Sequence, residues 1–369
     1  MVIFLRSNEI EYDPRLQKYI GFLNKKQINY LVIGWDRESS GKLVKNIIFY
    51  RKKTGYNLGR KAILSRIYFM WFLFLNLIKM KDKYSIIHAC DFDTVIPALI
   101  IKYIYKKRVI FDIFDWYSDT IYTGNLIINK IISILEFISY KLSDYIIICE
   151  EERKKQIKYY HRNIYILPNI PDIYLNEYKF KKKTNNSQIV ISYVGGFYKD
   201  RNIEILLSVV SKINNINLKI AGYGDKELEA ACLEYSKKYS NIEYYGKVKY
   251  NIALEIMSQS DLIYAMYCKK NKNHIYAAPN KFYESLLLGV PIITTEGTIV
   301  GEKVKKYNTG FVIGEEYTDT EILLKSIQNI NLEEKKNNCK KIWNDKYKNY
   351  TYKFLNDKYL SLLQKSDHS

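Results

Sequence analysis

The sequence predicts two doubly wound α/β domains in one chain. Short runs of β-branched and aromatic residues alternate with segments of helical length, which is typical of a parallel sheet covered on both faces. The alternation stops at a polar stretch and then begins again. The chain has 369 residues, more than one such domain needs, and its 47% hydrophobic content can fill two cores. Because ligands of open α/β sheets bind at the carboxyl ends of strands, we expect both sheets to face a common central cleft.

The first half contains six predicted strands. Segments of helical length separate most of them, among them residues 14–26, 94–105 and 126–142. The strands are expected at residues 2–5, 30–34, 46–50, 85–89, 108–111 and 145–149. These elements predict an amino-terminal domain over residues 1–178.

A polar stretch containing KKKTNNSQ has no apolar periodicity and predicts an exposed linker at residues 179–188. The strand pattern then resumes and predicts a second domain at residues 189–342. Its strands are expected at residues 189–194, 218–221, 242–245, 262–266, 291–294 and 310–313. The tail at residues 343–369 has apolar and aromatic residues at helical spacing and is predicted to pack back on the body.

The composition indicates the cellular compartment of the protein more clearly than its binding partner. The formal charge of +19 would suit nucleic acid, an anionic membrane surface or phosphorylated substrates, but it is spread along the whole chain. The five cysteines are scattered, so neither a disulfide framework nor a zinc site is indicated. Charged residues come too early for a signal peptide, and the longest apolar stretch, residues 67–78, is too short to span a bilayer. We therefore expect a cytoplasmic protein, either soluble or peripheral at the inner face of the cell membrane.

The loop after the first strand of the second half carries groups suited to phosphate. Gly195 and Gly196 let the backbone approach an anion, and the helix that follows offers unpaired N–H groups. Lys199 and Arg201 can neutralise phosphate charge. An ordinary strand-to-helix turn explains the same residues equally well.

A later loop, in the segment APNKFYE, leads into another helix. Asn280 is predicted to cap this helix, and Lys281 and free N–H groups are predicted to face a ligand. Phe282 and Glu284 fall in the first turn, where Glu284 either interacts with the helix dipole alone or accepts both hydroxyls of a ribose. The loop between these two segments contributes Gly222 and Gly224.

Taken in order, the three loops resemble the donor domain of family-four retaining glycosyltransferases, also called glycosyl transferases group 1. That family has the GT-B fold, with two Rossmann-like domains facing a central cleft. The matching motifs are strand-G-x-x-x-x-x-[KR], then G-x-G, then P-[NS]-K-[LF]-[FY]-E followed by G-[VK]-P, over residues 189–313. The first half resembles the family's acceptor domain through DPRLQK, HACDFDT, FDIFDWYSD and LPN.

The resemblance implies a role for each matching donor residue. Gly195 and Gly196 would approach the donor diphosphate, Arg201 would hold the basic position of that loop, and Lys281 would help bind the phosphates. Glu284 would bind the ribose hydroxyls. The remaining implied donor-site residues are Lys199, Gly222, Gly224, Asn280, Phe282 and Val248, the last through its backbone to the base.

The resemblance also implies the reaction. A sugar would leave a nucleoside diphosphate, UDP favoured over GDP, for a hydroxyl of a lipid-linked or cell-surface glycan of the capsule, O-antigen or exopolysaccharide type. The acceptor would attack on the face of the departing phosphate, with configuration retained. Arg201, Lys281 and a helix N-terminus can stabilise the diphosphate charge, so neither a metal nor another cofactor is expected.

Four residues of the first half are candidates for the acceptor. Asp115 is predicted to orient the acceptor hydroxyl and Asp112 is the second candidate, although each could instead cap a turn. Asp13 and Arg15 either position the acceptor or only begin the first helix beside Pro14.

The chain departs from the family pattern at three positions. Many members have an arginine where this chain has Gly196, a second glutamate where it has Tyr276, and an acceptor-loop histidine where it has Phe114.

One segment, residues 60–83, is rich in aromatic residues and flanked by cations. Its apolar character runs almost all round, which favours a buried helix covering the sheet over an interfacial one, while its terminal cations could meet anionic lipid.

Two rival functions remain at this level. A nucleotide-sugar epimerase of the same fold would also bind a nucleotide in the second domain. A basic nucleic-acid-binding protein is suggested only by the charge, and the sequence has no recognisable reading helix or RNA-binding signature.

Overall fold

The computed structural model describes residues 1–8, 10, 13–41, 43–53, 59–120, 125–157, 159–171 and 188–364, without the side chains of residues 59–62 and 120. The chain divides into two compact units. Unit 1 comprises Met1–Pro168 and Thr351–Ser369, and unit 2 comprises Asn169–Tyr350. Apart from Gln188, the predicted linker at 179–188 lies outside the described residues, as does the end of the predicted tail.

Unit 1 is built on a seven-stranded parallel sheet with the order β3-β2-β1-β4-β5-β6-β7. The six strands expected from the sequence are confirmed, and a short seventh strand was not predicted. The strands are β1 (Val2–Arg6), β2 (Tyr30–Asp36), β3 (Ile47–Arg51), β4 (Ile86–Cys90), β5 (Arg108–Ile113), β6 (Tyr145–Ile148) and β7 (Ile164–Ile166). The central strands β1 and β4 are buried at every position because helices cover both faces.

Unit 1 has four helices close to the predicted segments and a short additional helix, Tyr117–Thr120, that was not predicted. They are α1 (Pro14–Lys25), α2 (Gly59–Lys79), α3 (Phe92–Tyr105), α4 (Tyr117–Thr120) and α5 (Leu126–Leu142). Asp13 caps α1 by accepting the backbone N–H groups of Arg15 and Leu16, each at 3.0 Å, and Pro14 fills the first helical position. Within the described part of the chain, no helix is both long and apolar enough to cross a membrane.

Unit 2 contains a six-stranded parallel sheet with the order β10-β9-β8-β11-β12-β13. All six predicted strands are confirmed, and two extend further than predicted. The strands are β8 (Ile189–Phe197), β9 (Ile216–Gly224), β10 (Ile242–Tyr244), β11 (Leu262–Ala265), β12 (Ile292–Thr295) and β13 (Gly310–Ile313). The helices are α6 (Ile203–Val210), α7 (Lys226–Lys238), α8 (Tyr250–Ser258), α9 (Lys272–Ile275), α10 (Asn280–Leu288), α11 (Ile299–Tyr307), α12 (Tyr317–Ser326) and α13 (Glu333–Ile342).

The carboxyl-terminal segment is helical and is shared between the units. After α13, Trp343 and Tyr347 are buried in the core of unit 2. The chain continues through α14 (Tyr350–Lys353) and α15 (Leu360–Gln364), and Tyr359 and Leu362 are buried in unit 1. The segment therefore contributes side chains to both cores.

A buried polar network joins this segment to the sheet of unit 1. Asp112, at the end of β5, accepts two hydrogen bonds from Arg15, from Nη2 at 2.6 Å and from Nε at 3.1 Å. It also accepts one from the Tyr19 hydroxyl at 2.9 Å and lies 3.3 Å from His88 Nε2. On its other side, His88 Nδ1 lies 2.9 Å from the Tyr359 hydroxyl.

Charge in this network is fixed by burial and pairing. Burial alone would raise the pKa of Asp112, but the Arg15 charge and the hydrogen bonds from His88 and Arg15 together lower that pKa to about 2. Burial lowers the pKa of His88. A neutral His88 protonated at Nε2 can donate to Asp112 and accept from Tyr359 at Nδ1, which satisfies both ring nitrogens.

We expect Asp112→Asn to reduce the free energy of unfolding by about 3–5 kcal/mol, because it leaves the Arg15 guanidinium buried without a countercharge. The measurement is urea unfolding followed by circular dichroism. Asp345→Asn is the matched control, since Asp345 is exposed and its loss should cost no more than about 0.5 kcal/mol. Equal unfolding midpoints for the two variants would contradict the role given to Asp112.

Candidate functional site

Two neighbouring strands of unit 2 carry glycines near their carboxyl ends, and their backbones lie too close there for a side chain on β9. Gly195 on β8 pairs in register with Gly222 on β9. A Cβ added to Gly222 would lie 2.0 Å from the carbonyl oxygen of Gly195, and one added to Gly224 would lie 2.5 Å from that of Phe197. Since such distances are not tolerated, these positions require glycine. The carboxyl edge of the central strands is therefore bare backbone that an anion can approach.

Lys281 lies beside this edge and is held there by a buried carboxylate. A Cβ added to Gly195 would lie 3.9 Å from Lys281 Cε. The Lys281 ammonium donates to Glu284 Oε2 at 2.5 Å, and the Tyr250 hydroxyl donates to Oε1 at 2.9 Å. Glu284 is fully buried, whereas Lys281 keeps 18% of its side chain exposed. Glu284 thus places a partly accessible cation next to the glycine edge.

Helix α10 presents an amino terminus that no side chain caps. The prediction that Asn280 is the N-cap was wrong, because the helix begins at Asn280 and Pro279 is the N-cap. Proline has no side-chain acceptor, so the N-cap residue leaves the first N–H groups of the helix to an anion, while the Phe282 N–H donates to the carbonyl of Pro279 at 3.2 Å. The helix dipole adds partial positive charge. Asn169 supports the preceding loop by donating to the carbonyl of Ala278 at 2.8 Å.

Arg201 lies against aromatic residues of the same unit. Its guanidinium carbon is 4.4 Å from the centre of the Tyr267 ring, and Nη1 is 3.5 Å from the carbonyl of Met266. Burial raises the pKa of Tyr267 to about 12; the Arg201 charge lowers this pKa and the Glu284 charge raises it. Nearby, the Tyr193 hydroxyl donates to the carbonyl of Gly196 at 2.7 Å. Arg201 is therefore held over the Tyr267 ring, and the charges of Arg201 and Glu284 both act on that tyrosine.

Three tyrosines of this cluster were missed by the sequence analysis, namely Tyr193, Tyr250 and Tyr267. Each fixes or flanks a predicted residue. The chain has 36 tyrosines, and no motif distinguishes these three from the rest. Only the fold brings them next to Gly196, Glu284 and Arg201, respectively.

The other predicted donor residues lie in different surroundings. Lys199 forms an ion pair with Glu227 at 2.6 Å, and both side chains are exposed. Phe282 is fully buried in a hydrophobic core, and Val248 packs against that core half-buried. The ring of Phe282 is thus a packing group that fixes α10. The structure brings together Gly195, Gly222, Lys281, Glu284 and the start of α10, and it directs Lys199 to a surface pair.

Three of the four candidate acceptor residues are buried in unit 1. Asp13 caps α1 and accepts from Arg6 Nε at 2.6 Å, and Arg15 and Asp112 pair with each other in the network described above. These contacts give all three structural roles. Asp115 is exposed, with 58% of its side chain accessible, and accepts from Arg153 Nη2 at 3.0 Å.

Around Asp115, the ends of β1, β4 and β5 gather charged side chains that the sequence analysis did not single out. Arg6 binds both Asp13 and Asp91, and its guanidinium carbon lies 4.1 Å from the centre of the Phe114 ring. Burial raises the pKa of Asp91 to about 6, helped by the charges of Asp115 and Asp93 and opposed by Arg6. Phe114, which stands where many relatives have histidine, therefore covers a cation.

Asp91 and Asp93 also form an Asp-x-Asp sequence, which the prediction of a metal-free reaction did not take into account. Asp93 is buried, accepts from the Ser7 hydroxyl at 3.1 Å and lies 3.6 Å from Arg66 Nε. Asp91 binds Arg6 and accepts from the backbone N–H of Phe114 at 3.0 Å. In the part of the chain that the structure describes, no three His, Cys, Asp or Glu side chains are grouped to hold a metal ion.

Comparison with known proteins agrees with this geometry. Residues 176–344 match the family model of glycosyl transferases group 1, the family that the three loops resemble. No curated protein sequence shows a significant match to the chain.

Solved structures confirm the GT-B fold. Sucrose-phosphate synthase from Thermosynechococcus elongatus superposes with a TM-score of 0.72 at 12% identity, covering 98% of this chain and 99% of that one. Anabaena HepE in complex with UDP and glucose superposes with a TM-score of 0.71 at 13% identity, covering 98% of this chain and 100% of that one. WaaG, a glycosyltransferase involved in lipopolysaccharide biosynthesis, superposes with a TM-score of 0.66 at 14% identity, covering 99% of this chain and 100% of that one.

We expect Gly222→Ala to lower the melting temperature of unit 2, because its Cβ would force β8 and β9 apart at the glycine edge. A cost of about 1–3 kcal/mol is typical of such overpacking. Gly21→Ala is the matched control, since no atom lies within 4 Å of its added Cβ and alanine favours a helix interior. The measurement is differential scanning calorimetry, and equal melting temperatures would refute the close approach.

Proposed function

We propose that this protein is a retaining glycosyltransferase that moves a sugar from a nucleoside diphosphate to an acceptor hydroxyl. The observation that carries the proposal is the cluster of Glu284, Lys281 and the uncapped start of α10 beside the bare glycine edge. It lies in the segment that matches glycosyl transferases group 1.

In this proposal, Glu284 is the ribose-binding group. Its oxygens now accept from Tyr250 and Lys281, so two ribose hydroxyls would enter a site already built for donors. The Lys281 ammonium would then shift toward the diphosphate at the glycine edge. Solved structures of similar fold include Anabaena HepE in complex with UDP and with UDP-glucose, which supports UDP over GDP as the donor nucleotide.

The leaving diphosphate gains negative charge as the sugar departs. Arg201, Lys281 and the N–H groups of α10 are the positive groups that would stabilise it. Once the donor is bound, these groups would need no further rearrangement while the bond breaks, so they could stabilise the charge without a metal ion. Asp115, the accessible carboxylate of unit 1, would orient the acceptor hydroxyl for attack on the same face of the sugar.

The proposed acceptor is a lipid-linked or cell-surface glycan. Two neighbours in fold, WaaG and the galactosyltransferase WaaB, are described as lipopolysaccharide enzymes, which supports this acceptor class. Their sequence identity to this chain is 14% and 12%, respectively.

We expect UDP-glucose to raise the melting temperature of the protein, and sugar transfer to continue in excess EDTA. A ligand at one hundred times its dissociation constant stabilises the folded state by about 2.7 kcal/mol. The measurement is a thermal-shift screen of UDP- and GDP-sugars, followed by transfer assays with and without EDTA. Loss of transfer in EDTA with recovery on adding magnesium or manganese would remove the metal-free mechanism.

The same assay separates transfer from epimerisation. A neighbour in fold is described as a putative UDP-N-acetylglucosamine 2-epimerase from Listeria monocytogenes, with a TM-score of 0.60 at 11% identity. Conversion of a nucleotide sugar to its epimer without any acceptor would overturn the proposed function in favour of that one. An inverted anomeric centre in the product, measured by NMR, would overturn retention alone.

We expect Glu284→Gln and Arg201→Ala to affect different kinetic constants. Glu284 would bind the ribose, which changes little during the reaction. Loss of its charge should therefore weaken binding of the ground state and the transition state equally, by about 1.5–3 kcal/mol. The result would be a higher KM with little change in kcat. Arg201 would face growing charge, so its loss should lower kcat by about 10²–10³-fold.

Controls for this pair are Glu227→Gln and Lys226→Ala, which change exposed residues of α7 in the same chemical way. Both should retain normal constants. Near-normal kcat for Arg201→Ala at saturating donor would make Lys281 the principal group that stabilises the leaving diphosphate.

A further inference from the structure

Unit 1 leaves an unusual amount of apolar side chain exposed on three neighbouring helices. We call these residues the apolar face: Leu64, Ile67, Tyr68, Trp71 and Leu75 of α2; Ile100, Tyr103 and Ile104 of α3; and Leu126, Ile127, Ile131, Ile134, Leu135, Phe137 and Ile138 of α5. Scattered exposed apolar residues are normal on proteins, but contiguous apolar patches mark surfaces that meet a partner or a membrane.

The three helices form one layer on one side of the sheet. Helix α3 packs against both α2 and α5. Their inward side chains share a single core with β4 and β5; examples are Phe69 of α2, Val95 of α3 and Tyr140 of α5. The apolar face is therefore the outer side of a layer whose inner side is already fully packed, so the sheet itself cannot cover it.

The apolar face carries no exposed carboxylate. Helix α2 contains no acidic residue. The acids of α3 and α5 are Asp93 and Glu136, which are both buried. Glu136 accepts the backbone N–H groups of Tyr117 and Ser118 at 2.6 and 2.9 Å, so it anchors α4 from inside.

Lysines lie where these helices end. The exposed Lys79 ends α2, and the exposed Lys81 and Lys83 follow in the next turn with Asp82 between them. Lys106 is the C-cap of α3, and Lys141 is in the last turn of α5. We call these five residues the cationic rim. All strands of the sheet are parallel, so the helices that connect them run in the opposite direction, and their carboxyl-terminal ends lie at the same edge of the layer.

We propose that the apolar face and the cationic rim bind the surface of an anionic lipid bilayer. Aliphatic side chains would enter the interface, Trp71, Tyr68 and Tyr103 have the amphipathic rings that favour its polar boundary, and the rim would attract acidic headgroups. Each lysine near such a surface adds attraction that salt weakens.

A second copy of the chain is the competing occupant, and charge disfavours it. Two copies joined through this face would bring together two chains that each carry +19, and their net charges repel each other. A bilayer instead supplies the opposite charge beside an apolar layer. The proposal concerns unit 1 alone and does not rest on the donor chemistry proposed for unit 2.

The test is co-sedimentation of the full chain with vesicles of phosphatidylcholine alone or with about 30% phosphatidylglycerol, at about 0.15 M salt. We expect binding to the anionic vesicles and little binding to the neutral ones. Ile127→Asn combined with Ile131→Asn should weaken binding by at least about tenfold, since each isoleucine would lose its place in the interface. Lys79→Glu combined with Lys83→Glu should weaken it comparably and remove its salt dependence.

Matched controls come from unit 2. Ile322→Asn with Leu233→Asn removes apolar residues of similar exposure, and Lys237→Glu with Lys238→Glu makes the same change in net charge. Both control variants should bind like the parent protein, and circular dichroism should find all four variants folded. The proposal is overturned if the anionic vesicles bind no protein, if neutral vesicles bind equally well, or if the controls lose as much binding. It is also overturned if light scattering finds a dimer that only the Ile127 and Ile131 changes dissociate.

Discussion

The buried carboxylate of Asp112 is the interaction on which the arrangement of unit 1 depends. It collects Arg15 from α1, His88 from β4 and, through His88, Tyr359 from the carboxyl-terminal segment. Arg15 also donates to the carbonyl of Leu167, close to the point where the chain leaves the unit, at 2.5 Å. An ion pair at this depth is costly to desolvate, and full hydrogen bonding on both sides is what makes it tolerable.

Unit 2 places a second carboxylate, Glu284, in an equally buried position with a different set of partners. Asp112 is enclosed by partners that are themselves buried, so its environment is closed. Glu284 instead accepts from a partly exposed lysine and from Tyr250, a residue at the protein surface. Burial keeps the acceptor oriented, and exchangeable partners keep it able to take a ligand. The contrast explains how residues of one chemical type serve structure in one unit and a candidate site in the other.

Much of the fold could be predicted from the sequence because parallel strands buried on both faces appear as short apolar runs. Strand β7 was missed because its three residues, Ile164–Ile166, are too few to stand out. Within the site, glycines and Glu284 could be proposed from motifs, since backbone approach and buried acceptors demand particular residue types. The partners Tyr250 and Tyr267 could not, because a tyrosine gains its role only from the strand ends that surround it. For the same reason, Asp13 and Arg15 matched an acceptor motif although their contacts are those of a helix cap and an internal ion pair.

The aromatic helix α2 illustrates a different limit of sequence reasoning. A helix that is apolar almost all round predicts burial, and the inner side of α2 does pack into the core through Phe69, Leu73 and Leu77. The outer side, with Leu64, Trp71 and Leu75, is equally apolar and lies exposed. Periodicity cannot separate these cases, because an interfacial surface and a protein core select the same side chains. The distinction lies in the neighbouring helices: α3 and α5 continue the exposed apolar surface, so the outer side of α2 is part of a larger apolar face.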